Sequence, residues 1–363
     1  RLAGFKNTTG WLNNFFGAGA GQYNTTGSGN NFFGEYAGNC NNGFYNNFFG
    51  PLAGYQNTSG NNNNFTGFKA GYCNTTGCYN TFFGYCAGYG GTNGITGYDN
   101  TIIGRDAGKG LTSGCCNIFF GPRAGCSITT GDHNTLIGMY AGRCVTVGCR
   151  NIFIGCCASG GDTTANTACD NIAIGAHAGR HITTGSFNIF LGCQAGYNNT
   201  TGKYNNFFGH LAGYSNSQGV SFGACFNNFL GYFAGYCNTQ GQSNNFIGVS
   251  AGKSNTIGRF NNIMGFCAGY SSVSGDDNVF LGTRAGMYNT DGDANVFLGY
   301  YAGRKSGAAC DTIASGKNAA AYGTLTSNGS ANIFLGSSAG RCSTGGSGLN
   351  TFIGYFAGCT NCG

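Results

Sequence analysis

Cysteine is the residue type abundant enough here to do chemistry, with 20 in a chain of 363. Thiols serve metal centres, nucleophiles or disulfides, and their spacing separates these uses. Structural metal sites set short CxxC pairs in repeats interleaved with His. Here the CxxC is Cys359 to Cys362, at the last residues, with no second half nearby. No nucleophile motif is present, and His177 and His181 simply flank one Ala-Gly step. The 11 acids do not recur at a spacing that forms a catalytic pair. The chain therefore reads as a non-enzyme, with no catalytic residues, no metal and no cofactor implied.

Dense cysteine without metal spacing points to disulfides and an oxidising, extracellular setting. Cys73 and Cys78 flank Asn-Thr-Thr-Gly, and Cys144 and Cys149 flank Val-Thr-Val-Gly at the same register. Residues bracketing a four-residue turn fall within disulfide reach, about 5.5 Å between Cα atoms. Cys149 and Cys169 occupy matching places in successive repeats, so axial cross-links are an equal alternative. Such small loops gain about 2 to 3 kcal/mol each. Cys193, Cys225 and Cys267 fit equally well as small packed thiols. The sequons are a second candidate modification: Asn7, Asn24, Asn57, Asn74, Asn198, Asn199 and Asn328 are glycosylation candidates, most of them in an Asn-Thr-Thr turn expected to face solvent. Asn64 is also a sequon, and is expected to stay unmodified in a buried column.

The element that positions all of these is a repeat. Ala-Gly steps at 3, 20, 37, 53, 70 and 87 continue to 357, most of them 17 residues apart. Residues 188–204 show the unit: Asn-Ile-Phe-Leu-Gly-Cys-Gln-Ala-Gly-Tyr-Asn-Asn-Thr-Thr-Gly-Lys-Tyr. The longer gaps before Ala107, Ala178, Ala234 and Ala339 read as loop insertions. Seventeen residues with three glycines cannot hold packed helices, since each Gly costs a helix interior about 1 kcal/mol, and the aromatic and β-branched places favour strands. The fold class is therefore all-β: a β-solenoid of about 21 coils spanning 1–363 as one continuous array without separate caps. At about 4.8 Å per coil it would be a rod on the order of 100 Å long.

Each place in the unit makes a demand. Three residues before the Ala, every complete repeat from Gly17 to Gly354 has Gly, which implies a positive φ or a corner with no room for Cβ. Seven before it stands Asn, as at Asn13, Asn80, Asn151, Asn205 and Asn295, with Thr312 the exception. A buried stack of such residues would pass amide hydrogen bonds from coil to coil; an exposed turn Asn is the alternative. Five before it is a core Phe, Ile or Leu. Four before it is a second apolar residue, including Phe49, Phe120, Ile154, Leu230 and Leu298. Strand neighbours point to opposite faces, so this row is a candidate assembly face, unless a bend turns both side chains inward. Tyr recurs two after the Ala, as at Tyr55, Tyr72 and Tyr197, either as a plain surface stack or as a platform for sugar rings or a neighbouring chain.

Composition excludes several classes. Charged residues are 8% of the chain and Gly or Asn interrupts every apolar run, so no stretch reaches the roughly 18 residues that span a bilayer. Aromatic content of 15% argues against disorder. The net charge of +6 is spread thinly and does not call for nucleic acid or anionic membrane.

Segments Asn-Thr-Phe-Phe-Gly-Tyr-Cys-Ala-Gly (80–88) and Asn-Val-Phe-Leu-Gly-Tyr-Tyr-Ala-Gly (295–303) resemble the short repeats of YadA-like adhesin heads and phage tail-fibre shafts. That resemblance implies a stacked β-roll, usually trimeric, exposed on a surface and used for attachment. Both ends fall mid-unit, Leu2-Ala3-Gly4 and Phe356-Ala357-Gly358, where solenoids ordinarily carry caps. The expectation is a structural protomer of an extracellular fibre or surface appendage. Its partners are copies of itself, head to tail and side by side, and glycans where sequons are used. A trimeric surface adhesin or tail-fibre shaft, and an ice-binding solenoid with regular Thr places, stay open as alternatives.

Overall fold

The computed structural model describes residues 2–161, 166–216, 224–323, 331–343 and 348–359. The chain is a parallel β-solenoid with a repeat of about 17 residues, and it divides into two compact units, Arg1–Thr184 and Gly185–Gly363. The first holds β1 (Asn14–Phe16) to β10 (Ile172–Ile174), the second β11 (Ile189–Leu191) to β20 (Thr351–Ile353). Every strand is three residues long. Within each unit it pairs in parallel with the strand one turn on, like residue opposite like residue: Phe15 on Phe32, Phe229 on Phe246. The insertions leave this register intact, because Thr81 still pairs Thr101 and Asn206 still pairs Asn228. The repeat at Ala3 contributes only turn, so strand-bearing turns among the described residues number twenty.

Outside the strands the backbone stacks as well. Gly21 and Gly38 each donate N–H to the landmark Ala of the next turn at 2.9 Å, and Gly213 does so in the second unit at 2.9 Å. A turn of this size must bend sharply several times, and glycine makes two of the bends. Gly121 has φ of +131°, and a Cβ there would lie 2.8 Å from the Gly138 carbonyl in the next turn. Both reasons for an invariant Gly therefore apply at once. The Gly after the landmark Ala is crowded by the core: at Gly54 a Cβ would sit 2.4 Å from the Phe48 ring. Two turns depart from it: Ala320 where the core residue is Ala314 and no ring stands in the way, and Ser159, at φ of +46°, where the core residue is Phe153 and the side chain is accommodated.

The other two bends are made by ordinary residues. The residue before the landmark Ala and the residue before the ladder position have φ near +55° in every turn, among them Tyr45, Tyr79, Phe187 and Phe226. A left-handed non-glycine residue costs about 1 to 2 kcal/mol. Each here donates its N–H along the axis, Tyr36 to the Ala18 carbonyl at 2.8 Å and Phe226 to Lys203 at 3.1 Å, which offsets part of that strain.

Inside each unit the core is a column of rings. Phe32, Phe48, Phe65 and Phe82 are fully buried, with successive centroids 4.9, 4.9 and 4.7 Å apart and planes within 7°. Phe207, Phe229 and Phe246 repeat this at 4.8 Å in the second unit. The ring spacing is the strand spacing, so the Phe column and the sheet reinforce one another. Each buried ring contributes about 1.5 to 3 kcal/mol. The landmark alanines are fully buried beside it from Ala20 to Ala339.

Candidate functional site

The expected asparagine ladder is present, buried and directional. Asn80 donates its N–H to Asn63 Oδ1 at 3.0 Å, its Oδ1 accepts the Asn100 N–H at 3.0 Å, and its Nδ2 donates to the Gly97 carbonyl at 2.8 Å. Asn151, Asn205 and Asn295 make the same set. Asn13 is half-buried and accepts the Asn30 N–H at 3.0 Å. Thr312 keeps the incoming bond, its N–H reaching Asn295 Oδ1 at 3.0 Å, while its hydroxyl turns to the Cys310 carbonyl. Each buried amide thus satisfies backbone groups that no strand partner reaches.

A second buried ladder corrects the sequon expectation. Asn24, Asn57, Asn74 and Asn199 are fully buried, not exposed on the turn. Asn74 Nδ2 donates to Asn57 Oδ1 at 2.6 Å and to the Gly77 carbonyl at 3.0 Å; Asn216 donates to Asn199 Oδ1 at 2.7 Å. Their Nδ2 atoms, where a glycan would attach, are enclosed and used by the fold. The turn faces solvent through its Thr residues instead. Asn7 is exposed and Asn198 half-buried, while Asn328 lies outside the described residues. Asn64 is the exposed first residue of β4 (Asn64–Thr66); the ladder place in that turn is Asn63. The missed signal was the position of the sequon Asn four residues after the buried Ala, where Leu111, Ile128 and Val145 stand in other turns.

The cysteines acquire a role as hydrogen-bond acceptors. Two residues before the ladder Asn, a side chain accepts the backbone N–H of the equivalent residue one turn earlier. Asn61 N–H meets Cys78 Sγ at 3.2 Å, Cys149 N–H meets Cys169 Sγ at 3.1 Å, and Lys203 N–H meets Cys225 Sγ at 3.3 Å. Ser28, Asn61 and Asp276 do the same with oxygen, at 3.1, 2.7 and 2.6 Å. Cys149 and Cys169 are therefore axial neighbours, as their spacing predicts, and the contact between them is N–H···S. Cys73 and Cys78 are both thiols, and the Cys73 thiol is pushed up in pKa by burial. Cys144 turns its thiol to the Gly161 carbonyl. Cys342 is disulfide-bonded. We expect Cys78→Ser to leave stability within about 0.5 kcal/mol of wild type, and Cys78→Val to cost about 1 kcal/mol by orphaning the Asn61 N–H. A denaturation series in the presence and absence of reductant checks this; equal losses of about 2 to 3 kcal/mol in both variants would instead indicate a disulfide.

The outer strand face carries the candidate assembly row. Phe49, Phe120 and Leu230 are 40%, 54% and 45% exposed, and Ile154 and Leu298 are half-buried. No bend turns this row inward. Beside it runs an outer amide ladder, Asn14 to Asn31 at 2.7 Å, Asn31 to Asn47 at 2.8 Å and Asn228 to Asn245 at 2.9 Å. It is written in the sequence as Asn-Asn doublets at 13–14, 30–31, 46–47 and 227–228. The tyrosines stack face to face, Tyr55 on Tyr72 at 5.1 Å and Tyr214 on Tyr236 at 5.1 Å, so within each stack the ring faces cover one another. Threonine hydroxyls likewise point along the axis, Thr58 and Thr112 each donating to the next turn's Thr carbonyl at 3.0 Å. His177 Nδ1 lies 2.8 Å from Arg180 Nη1.

Among the described residues no helix is long and apolar enough to cross a membrane, and no group of three or more His, Cys, Asp or Glu is placed to hold a metal. No family model, curated protein or solved structure matches the chain. What the fold and its surfaces define is a repetitive parallel β-solenoid with inner and outer asparagine ladders.

Proposed function

We propose that this chain is a structural protomer of an extracellular fibre or surface appendage, in which copies pack side by side along their outer strand faces. The observation that carries the reading is the outer apolar row, interrupted only by Thr66 in the first unit and Ser315 in the second among the described strands. Phe16, Phe33, Phe49 and Phe83 are 73%, 40%, 40% and 58% exposed, and the row recurs in the second unit through Leu230 and Met264. A long stacked row of this kind is an apolar surface that monomers rarely leave exposed. Inside, side-chain amides and rings are committed to holding turn on turn, which suits a load-bearing element. The acceptor role of the cysteines makes an extracellular site less dependent on disulfides than their number suggests. Ice binding gains less support, because the Thr hydroxyls lie on a bend and donate along the axis.

Sedimentation and electron microscopy of purified chain should show laterally associated rods or filaments. Lys at Phe33, Phe49, Phe83 and Phe120 should disperse them while circular dichroism stays unchanged. Dispersed single particles of the unaltered chain at micromolar concentration would sink the reading.

A further inference from the structure

Beyond Arg259 the charges of the second unit, sparse in sequence, are sorted by the fold onto two different edges of the turn. Lys253, Arg284, Arg304, Lys305, Lys317 and Arg341 all lie within three residues of a landmark Ala. Asp276, Asp277, Asp291, Asp293 and Asp311 all lie six to nine residues beyond one, on the Thr-Gly turn, and the cations Lys203 and Arg259 occupy that same edge in earlier turns. Among the described residues of this unit no cation and carboxylate approach within 4.0 Å; ion pairs such as Arg150 with Asp170 at 2.6 Å belong to the first unit.

The cationic edge is also held in place. Arg304 lies over Tyr301 at 4.7 Å, Arg341 over Tyr322 at 4.9 Å, and Lys253 over Phe233 at 4.8 Å. Arg284 donates to the Tyr301 hydroxyl. Side chains fixed against rings lose little entropy on binding, and Arg with Tyr is the pairing enriched at interfaces. On the acidic edge Asp277, Asp291, Asp293 and Asp311 are exposed. The two edges occupy overlapping stretches of the same stack.

We propose that the basic edge of the second unit docks against the acidic edge of the second unit in another copy of this chain. Two different edges are joined, so the contact is heterologous and leaves a free edge on each partner. It propagates as a lateral array and does not close into a dimer. This deepens the fibre reading, on which it rests, by naming a second, electrostatic contact apart from the apolar row.

The test uses two full-length variants. One is neutralised on the acids by Asp276→Asn, Asp277→Asn, Asp291→Asn, Asp293→Asn and Asp311→Asn; Asn keeps the acceptor oxygen that Asp276 and Asp293 offer to the preceding turn's N–H. The other carries Lys305→Gln and Lys317→Gln, both exposed, with a second version adding Lys253→Gln, Arg304→Gln and Arg341→Gln. By sedimentation velocity, lateral association of the unaltered chain should weaken at least about tenfold between low and roughly 0.5 M salt. Each variant alone should lose at least about tenfold. Mixed together, the acid-neutral and base-neutral chains should pair through the charged edges where neither does so alone, since each retains one competent edge. Undiminished association in the acid-neutral chain, or no pairing in the mixture, overturns the proposal. So does a salt-insensitive chain that stays single and is instead retained by an anionic polysaccharide. Filaments that persist in both variants would leave the fibre reading standing and remove this one alone.

Discussion

Asn134→Ala should open the first unit locally and strongly. Asn134 Oδ1 accepts from both the Asn151 N–H at 3.0 Å and Asn151 Nδ2 at 3.1 Å, while its own Nδ2 donates to the Gly148 carbonyl at 2.8 Å. All of these atoms are out of water, since Asn117, Asn134 and Asn151 are fully buried. Truncation leaves a buried N–H and a buried carbonyl without partners at about 1 to 3 kcal/mol each, so a loss of about 3 kcal/mol is expected. Because a solenoid's stability is a sum over turns and their contacts, the loss should be local. Hydrogen exchange at the Asn151 amide and in the adjoining turns should accelerate about 100-fold, with distant turns unmoved. Asn134→Thr should cost nearly as much, because the bond Thr312 keeps to Asn295 Oδ1 comes from its backbone N–H while its hydroxyl turns back to the Cys310 carbonyl. Acceleration of less than about fivefold in the Ala variant would mean that the amides tolerate solvent and the ladder is ornamental.

Asn134→Asp sharpens the same point through pH. An ionised carboxylate there would face the Gly148 carbonyl and Asn117 Oδ1, both acceptors, with no water. Burial favours the neutral acid, so the folded-state pKa rises above the unfolded value of about 3.9. The folded form then holds the proton more tightly, and stability falls as pH climbs above that value. The variant should approach wild-type exchange rates near pH 4 and lose them progressively toward neutrality. A flat profile would contradict a buried ladder.

These two columns also show what the sequence could and could not disclose. The ladder Asn was legible because a single residue type held one place against all drift, and its burial follows from the need to satisfy backbone groups between turns. The second ladder was hidden by its neighbours: Asn-Thr-Thr reads as an exposed sequon, and nothing local reveals that the chain turns Asn57 inward and Thr58 outward. The left-handed bends were hidden differently. Gly29, Asn62, Asp99 and Asp277 at one bend carry the expected preference, yet Tyr45, Phe187 and Phe226 at the same place dilute it. There the axial hydrogen bonds override the local preference of the residue. Cys78, Cys169 and Cys225 each meet a backbone N–H one turn away, a contact that no Cys-to-Cys spacing records.

Gly213→Ala should be among the most damaging single-methyl changes in the second unit, and its damage should depend on one ring. Gly213 has φ of +58°, and a Cβ would lie 2.4 Å from Phe207 Cε2. Phe207 cannot retreat, being stacked between Phe190 at 5.2 Å and Phe229 at 4.8 Å. The backbone conformation alone costs a non-glycine residue about 1 to 2 kcal/mol, and displacing the ring adds an overpacking cost of about 1 to 3 kcal/mol. A total of about 4 kcal/mol is expected. In a Phe207→Ala background, itself weakened by about 3 to 5 kcal/mol, the same Gly213→Ala change should cost only its backbone share. The chain already contains that solution: Ala320 sits at φ of +49° in the turn whose core residue is Ala314. Measured as a double-mutant cycle on local exchange in turns 196–247, the coupling should reach about 2 kcal/mol. Additive costs, within about 0.5 kcal/mol, would show that the post-Ala glycine is required by φ alone and that the Phe column does not dictate it.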